Sequence, residues 1–154
     1  MLMLASLLVP RLGLGSGRGR RGHFSKGQER TIKSLLEMIW PGCLEYNAYP
    51  FLERWLGSRG YEKALDYYKK HVDALVADSK KSHKKDFAEL DQEGKESLLD
   101  RIYKRDKLFY LLTRQAALMS VFGDPTHGVN PGKKGWKMID YSPGSQLPFT
   151  HLER

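Results

Sequence analysis

The sequence predicts an all-α fold, a small bundle of about five helices followed by an irregular, glycine-rich C-terminal extension. Three observations carry that expectation. Apolar residues recur at helical spacing in five separate stretches between Gln28 and Phe122. No stretch alternates apolar and polar residues as a half-buried strand must. Beyond Phe122, glycine, proline and asparagine become dense while large apolar side chains persist. At 154 residues, 40% hydrophobic and 29% charged, the chain is long enough to bury one core and apolar enough to need one.

Residues 1–24, MLMLASLLVPRLGLGSGRGRRGHF, are expected to be a leader rather than part of the fold. They are apolar first, then rich in Arg, Gly and Ser, and they contain no Asp or Glu. That is the composition of a mitochondrial or plastid transit peptide. A secretory signal places its positive charge before the apolar run, and here the charge follows it. A twin-arginine signal fails likewise, because Arg20-Arg21 precede the polar SKGQER. The apolar run is too short to span a bilayer, which takes about 20 residues. Mitochondrial import is therefore the expectation, with a bacterial periplasmic protein of atypical N-terminus as the alternative.

A helical domain is expected over 25–122. Ile32, Leu35, Leu36 and Ile39 follow the i, i+3, i+4, i+7 rule of one helix face between Gln28 and Trp40, and Pro41-Gly42 ends it. Pro50 opens a second helix, since its missing N–H is harmless in a first turn. Phe51, Leu52, Trp55 and Leu56 form its apolar face, and Gly57 and Gly60 bound it. Tyr61, Leu65, Tyr68, Val72 and Leu75 make a stripe on a third helix that fades into the lysine-rich segment 79–85. Asp91 is an N-cap for a fourth helix carrying Leu98, Leu99, Ile102 and Tyr103. A fifth runs from Lys107 to Phe122 with Phe109, Leu112, Ala116, Met119 and Phe122 available for burial.

Segment 123–154 is expected to be an irregular docking segment. Its turn formers surround Trp136, Met138, Ile139 and Tyr141, which are too apolar for a free tail. Such a strip must lie on a surface, either of its own domain or of a partner. Long structured loops in compact domains tend to be functional.

Candidate chemistry is sparse. Gly17 to Gly22 matches G-x-G-x-x-G, but no strand precedes it and its three spacer positions are leader arginines. Gly128-Val-Asn-Pro-Gly-Lys133 fails as a phosphate loop: the glycines are one residue too close and no Ser or Thr follows the lysine. The five histidines, His23, His71, His83, His127 and His151, form no i, i+4 ligand pair, and no Cys lies near them. No C-x-x-C-H motif exists for covalent haem. Cys43, the lone cysteine, reads as a buried hydrophobe. Asp86, Glu89, Asp91, Glu93, Glu96 and Asp100 sit next to lysines and arginines at helical spacing, as on a solvated face.

The net charge of +8 invites a nucleic-acid partner. Its distribution argues against one. Residues 1–28 hold five of the 26 basic residues and none of the 18 acidic ones, so the body carries 21 against 18, or +3. The cluster Lys80, Lys81, Lys84 and Lys85 then reads as an exposed helix end rather than a phosphate patch. An organellar RNA-binding or ribosomal protein remains an alternative on charge alone.

The stretch Phe122-Gly-Asp-Pro-Thr-His-Gly-Val-Asn-Pro-Gly-Lys-Lys-Gly-Trp-Lys-Met-Ile-Asp-Tyr-Ser-Pro-Gly144 resembles the end of the gluconate 2-dehydrogenase subunit 3 family. The matching positions are Asp124, Pro125, Gly128, Asn130, Gly135, Trp136, Met138, Ile139, Tyr141, Pro143 and Gly144. Weaker matches are Phe24 and Gln28, Ile39-Trp-Pro-Gly42, and Asp86-Phe87 with Leu90. The family's usual Tyr-Gly-Gly-Asn is replaced by Thr126-His-Gly-Val-Asn130.

The resemblance implies an accessory, non-catalytic subunit that helps a large FAD-containing subunit mature, often with a cytochrome subunit as electron acceptor. It implies no cofactor in this chain, with FAD and haem held by partner subunits, and membrane contact only through them. The eleven matching residues become the expected partner interface, with Trp136 as its anchor. A supernumerary subunit of a mitochondrial respiratory complex is the alternative. An enzyme with a site of its own is the remaining rival, supported only by the presence of carboxylates and histidines.

Overall fold

The structure, a computed structural model, describes residues 22–143; most of the leader, Gly144 and the residues after it lie outside them. Six α-helices occupy this body: α1 Lys26–Ile39, α2 Ala48–Leu56, α3 Glu62–His83, α4 Gln92–Arg105, α5 Lys107–Phe122 and α6 Lys134–Met138. Among the described residues there is no strand, as the sequence predicts.

Helix α1 starts two residues earlier than its apolar pattern indicates, because Ser25 and Gln28 form a capping box. The Gln28 amide donates to Ser25 Oγ (3.2 Å) and the Ser25 amide to Gln28 Oε1 (3.0 Å). Ile32, Leu35 and Leu36 are fully buried on its inner face, each stabilising the fold by about 1.5–3 kcal/mol. Phe24, placed in the leader by composition, belongs to the core instead. It is buried and packs its ring against Tyr68, 6.0 Å away at 66°.

The corner after α1 is tighter than a simple Pro-Gly stop. Glu37 accepts from the amides of Gly42 (2.8 Å) and Leu44 (3.1 Å), closing a 3-10 turn over Cys43–Tyr46. Cys43 is sealed inside it; burial first, and the Glu37 charge second, push its thiol up to about 12. Helix α2 begins at Ala48, two residues before Pro50, so the proline sits inside the first turn where its missing donor is still harmless.

Helix α3 runs through the lysine segment to His83 instead of fading before it. Buried Ser79 holds that end by donating to the Lys85 carbonyl (2.7 Å). The lysine cluster lies on this exposed end, and Lys80 pairs with Asp86 at 3.2 Å.

Helix α4 opens on Asp91, which accepts from the Gly94 amide at 2.9 Å, as expected of an N-cap. Its Leu98 and Ile102 are buried, but Tyr103 is exposed and meets Tyr110 of α5 edge-on at 5.1 Å.

Helix α5 is central: α1, α2, α4 and α6 all pack on it. Helix α3 reaches it through Tyr68, whose hydroxyl lies 2.8 Å from Thr113 Oγ1; Thr113 in turn donates to the Phe109 carbonyl (2.9 Å). Burial pushes the Tyr68 phenol well above its ordinary value, so this hydroxyl stays a donor. At the start of α5, Asp106 accepts from the Leu108 and Phe109 amides and pairs with His71 Nε2 of α3 at 2.8 Å. No described helix is long and apolar enough to cross a membrane.

Candidate docking site

A helix leaves its last four carbonyls without intrahelical donors. The segment after α5 supplies donors to that end. The Asn130 amide donates to the Ser120 carbonyl (2.8 Å), Asn130 Nδ2 to the Gly123 carbonyl (3.3 Å) and Trp136 Nε1 to the Phe122 carbonyl (2.7 Å). Asn130 also accepts from the Gly135 amide through Oδ1 (2.7 Å). Asn130 is fully buried and adopts φ 46°, a left-handed conformation that asparagine tolerates better than most residues. Gly135 must be glycine, because a Cβ there would overlap the Val121 carbonyl.

The rest of the segment is ordered by short local devices. Asp124 accepts from the Thr126 amide (2.8 Å) and, with Pro125, starts a 3-10 turn over Pro125–His127. That amide first, and then the Thr126 side chain, hold the Asp124 carboxyl below the usual carboxylate range. Helix α2 clasps this turn: Arg54 donates to the His127 carbonyl (3.1 Å) and Asn47 to the Gly128 carbonyl (3.2 Å). Gly128 takes φ 72°, and Val129 drops into the core. A second 3-10 turn, Pro131–Lys133, leads into α6. The irregular extension is thus better described as two tight turns and a short helix, wrapped on the end of α5.

This arrangement corrects one expectation. Trp136 is only 7% exposed and is held by its own domain, so it is not free to anchor a partner. The physical reason is the orphan carbonyl of Phe122, which gives the indole N–H a buried acceptor in its own chain. Asn130 and Gly135 are likewise internal supports. What the strip turns outward is Met138 (62% exposed), Ile139 (57%) and Tyr141 (43%). The Tyr141 amide donates to the Trp136 carbonyl (2.9 Å), and its ring meets the indole edge-on at 5.3 Å. Phe122, Asp124, Trp136, Ile139, Tyr141 and Pro143 line an open hollow of about 360 Å³. Gly144 lies outside the described residues.

The family model for gluconate 2-dehydrogenase subunit 3 matches residues 26–144, from the first residue of α1 through the whole strip. The chain belongs to that family. Comparison with curated proteins and with solved structures found no match. As a subunit 3 relative, the chain is related to an accessory component of a multi-subunit dehydrogenase. Among the described residues, no group of three or more His, Cys, Asp or Glu is arranged to hold a metal ion.

Sequence reasoning missed the exposed side of α5 altogether. Of the five residues it selected for burial, Phe109 and Ala116 are fully buried, and Leu112, Met119 and Phe122 are partly buried against the core. Thr113, Ala117, Ser120 and Val121 complete the core face. The signal was present: KLFYLLTRQAALMSVF has more apolar residues than one stripe can hold.

Proposed function

We propose that this chain is a non-catalytic accessory subunit that docks on the large FAD-containing subunit of a dehydrogenase and aids its assembly or stability. The observation that carries the proposal is a rigidly capped strip that nevertheless presents Met138, Ile139 and Tyr141 to solvent. Side chains of this kind, fixed on a supported backbone, cost little ordering entropy when a partner covers them. Flavin, and haem where a cytochrome subunit is present, reside in the partners. The family relationship supports an oxidoreductase partner over RNA, and it supports the periplasmic alternative over the mitochondrial one.

Co-expression of the tagged chain with its dehydrogenase subunit tests this. Co-elution of a flavin-containing polypeptide is expected, with a lower yield of soluble flavoprotein when the chain is omitted. A chain that elutes alone, beside a flavoprotein produced in full without it, would sink the proposal.

A further inference from the structure

Helix α5 buries Phe109 and Val121 with the small or polar Thr113, Ala116, Ala117 and Ser120, yet leaves two leucines outside its own domain. Leu108 and Leu111 are 53% and 48% exposed. At 100° per residue, Leu108, Leu111 and half-buried Leu118 fall on one outer stripe, interrupted only by Gln115, which leads to Phe122, itself half-buried against Trp40. The stripe is about 21 Å long at a rise of 1.5 Å per residue. It ends at Phe122, which also lines the hollow with Ile139 and Tyr141. Apolar stripe and hollow are therefore one continuous surface.

The charge around that surface is one-sided. Lys107, Arg114, Lys133, Lys134 and Lys137 are all exposed and none closes an ion pair among the described residues, although Lys133 lies near Asp124. Asp124, which lines the hollow, and Asp140, next to Ile139 in the chain, oppose them. Resting on the accessory-subunit reading above, we propose that the outer stripe of α5 and the hollow together form the face that receives the large subunit. Its occupant is an apolar, acid-rimmed patch with one protruding side chain that enters the hollow. A second copy of this chain would bring like charge against like. A lipid surface is met by protruding side chains, and the end of this track is concave.

The test uses the co-expressed complex with Leu108→Glu and Leu111→Glu, separately and together. Both positions are exposed, so circular dichroism and Tm of the isolated chain should match wild type. The co-purified large subunit should fall at least about tenfold in the double variant, because a charge must be buried without a partner. Zero-length carbodiimide coupling of the wild-type complex should join Lys107, Lys133, Lys134 or Lys137 to large-subunit carboxylates. If wild type retains the large subunit and the double variant retains it equally, the docking face lies elsewhere while the accessory role stands. Failure of wild type itself to retain it removes the accessory role. Flotation of the isolated chain with phosphatidylglycerol vesicles, lost in the double variant, would overturn the face as a protein site in favour of a membrane one.

Discussion

Helices α1 and α5 are nearly equal in length, 14 and 16 residues, and differ in where they put their leucines. In α1 Leu35 and Leu36 are fully buried, and the opposite face carries Glu29, Arg30, Lys33 and Glu37. In α5 Leu108 and Leu111 are about half exposed, while Thr113 and Ser120 share the core face with Phe109, Ala116, Ala117 and Val121. The first helix is complete within its own domain. The second has an inner side of mostly small residues and, on the docking proposal above, an outer side that the large subunit completes. Small inner residues let α1, α2 and α6 pack close to the α5 backbone, and the hydroxyls remain satisfied through Phe109, Ala117 and Tyr68.

The sharpest way to break this contrast is to truncate leucines on both helices. Leu35→Ala should cost about 2–5 kcal/mol in denaturant unfolding, since it opens a cavity in a fully packed site. Next in size is Asn130→Ala. It removes the acceptor of the buried Gly135 amide and puts alanine in a left-handed conformation, so about 2–3 kcal/mol should be lost, with a red shift of Trp136 emission as the strip loosens.

Asp106→Ala removes the cap of α5 and should cost about 1 kcal/mol at neutral pH. The folded protein holds this carboxyl below its ordinary range, first through the neighbouring Tyr67 hydroxyl and then through the Leu108 and Phe109 amides and the His71 charge. Its contribution is therefore fully present above the ordinary aspartate value of 3.8 and is lost as pH falls through the lower folded value. Wild type and variant should converge in stability as the solution is acidified into that window. Smallest of all, Leu111→Ala should change the stability of the isolated chain by no more than about 0.5 kcal/mol. A loss comparable to that of Leu35→Ala would mean that the outer face of α5 is already covered in cis.

Much of this architecture was legible from spacing alone. The i, i+3, i+4, i+7 rule found the inner face of α1, and the N-cap rule found Asp91. Spacing was silent where partners lie far apart in the chain. The Asp106–His71 pair joins positions 35 residues apart, and neither residue is unusual locally. The strip was legible in composition but not in direction. Large apolar side chains among glycines say that something is covered; they do not say by what. The answer for Trp136 came from the unpaired Phe122 carbonyl at the end of α5, which exists only once the helix has formed and stopped. In α5 a single-stripe template found five apolar positions that lie in or against the core, and it passed over Leu108 and Leu111 on the outer side.

The sealed corner at Cys43 gives the molecule a built-in reporter. A thiol that is protonated and out of reach in the native state reacts with a maleimide only while the Glu37-braced turn is open. Labelling rates would then measure how often α1 and α2 part, and a docked partner on α5 should slow that breathing in proportion to how firmly it grips.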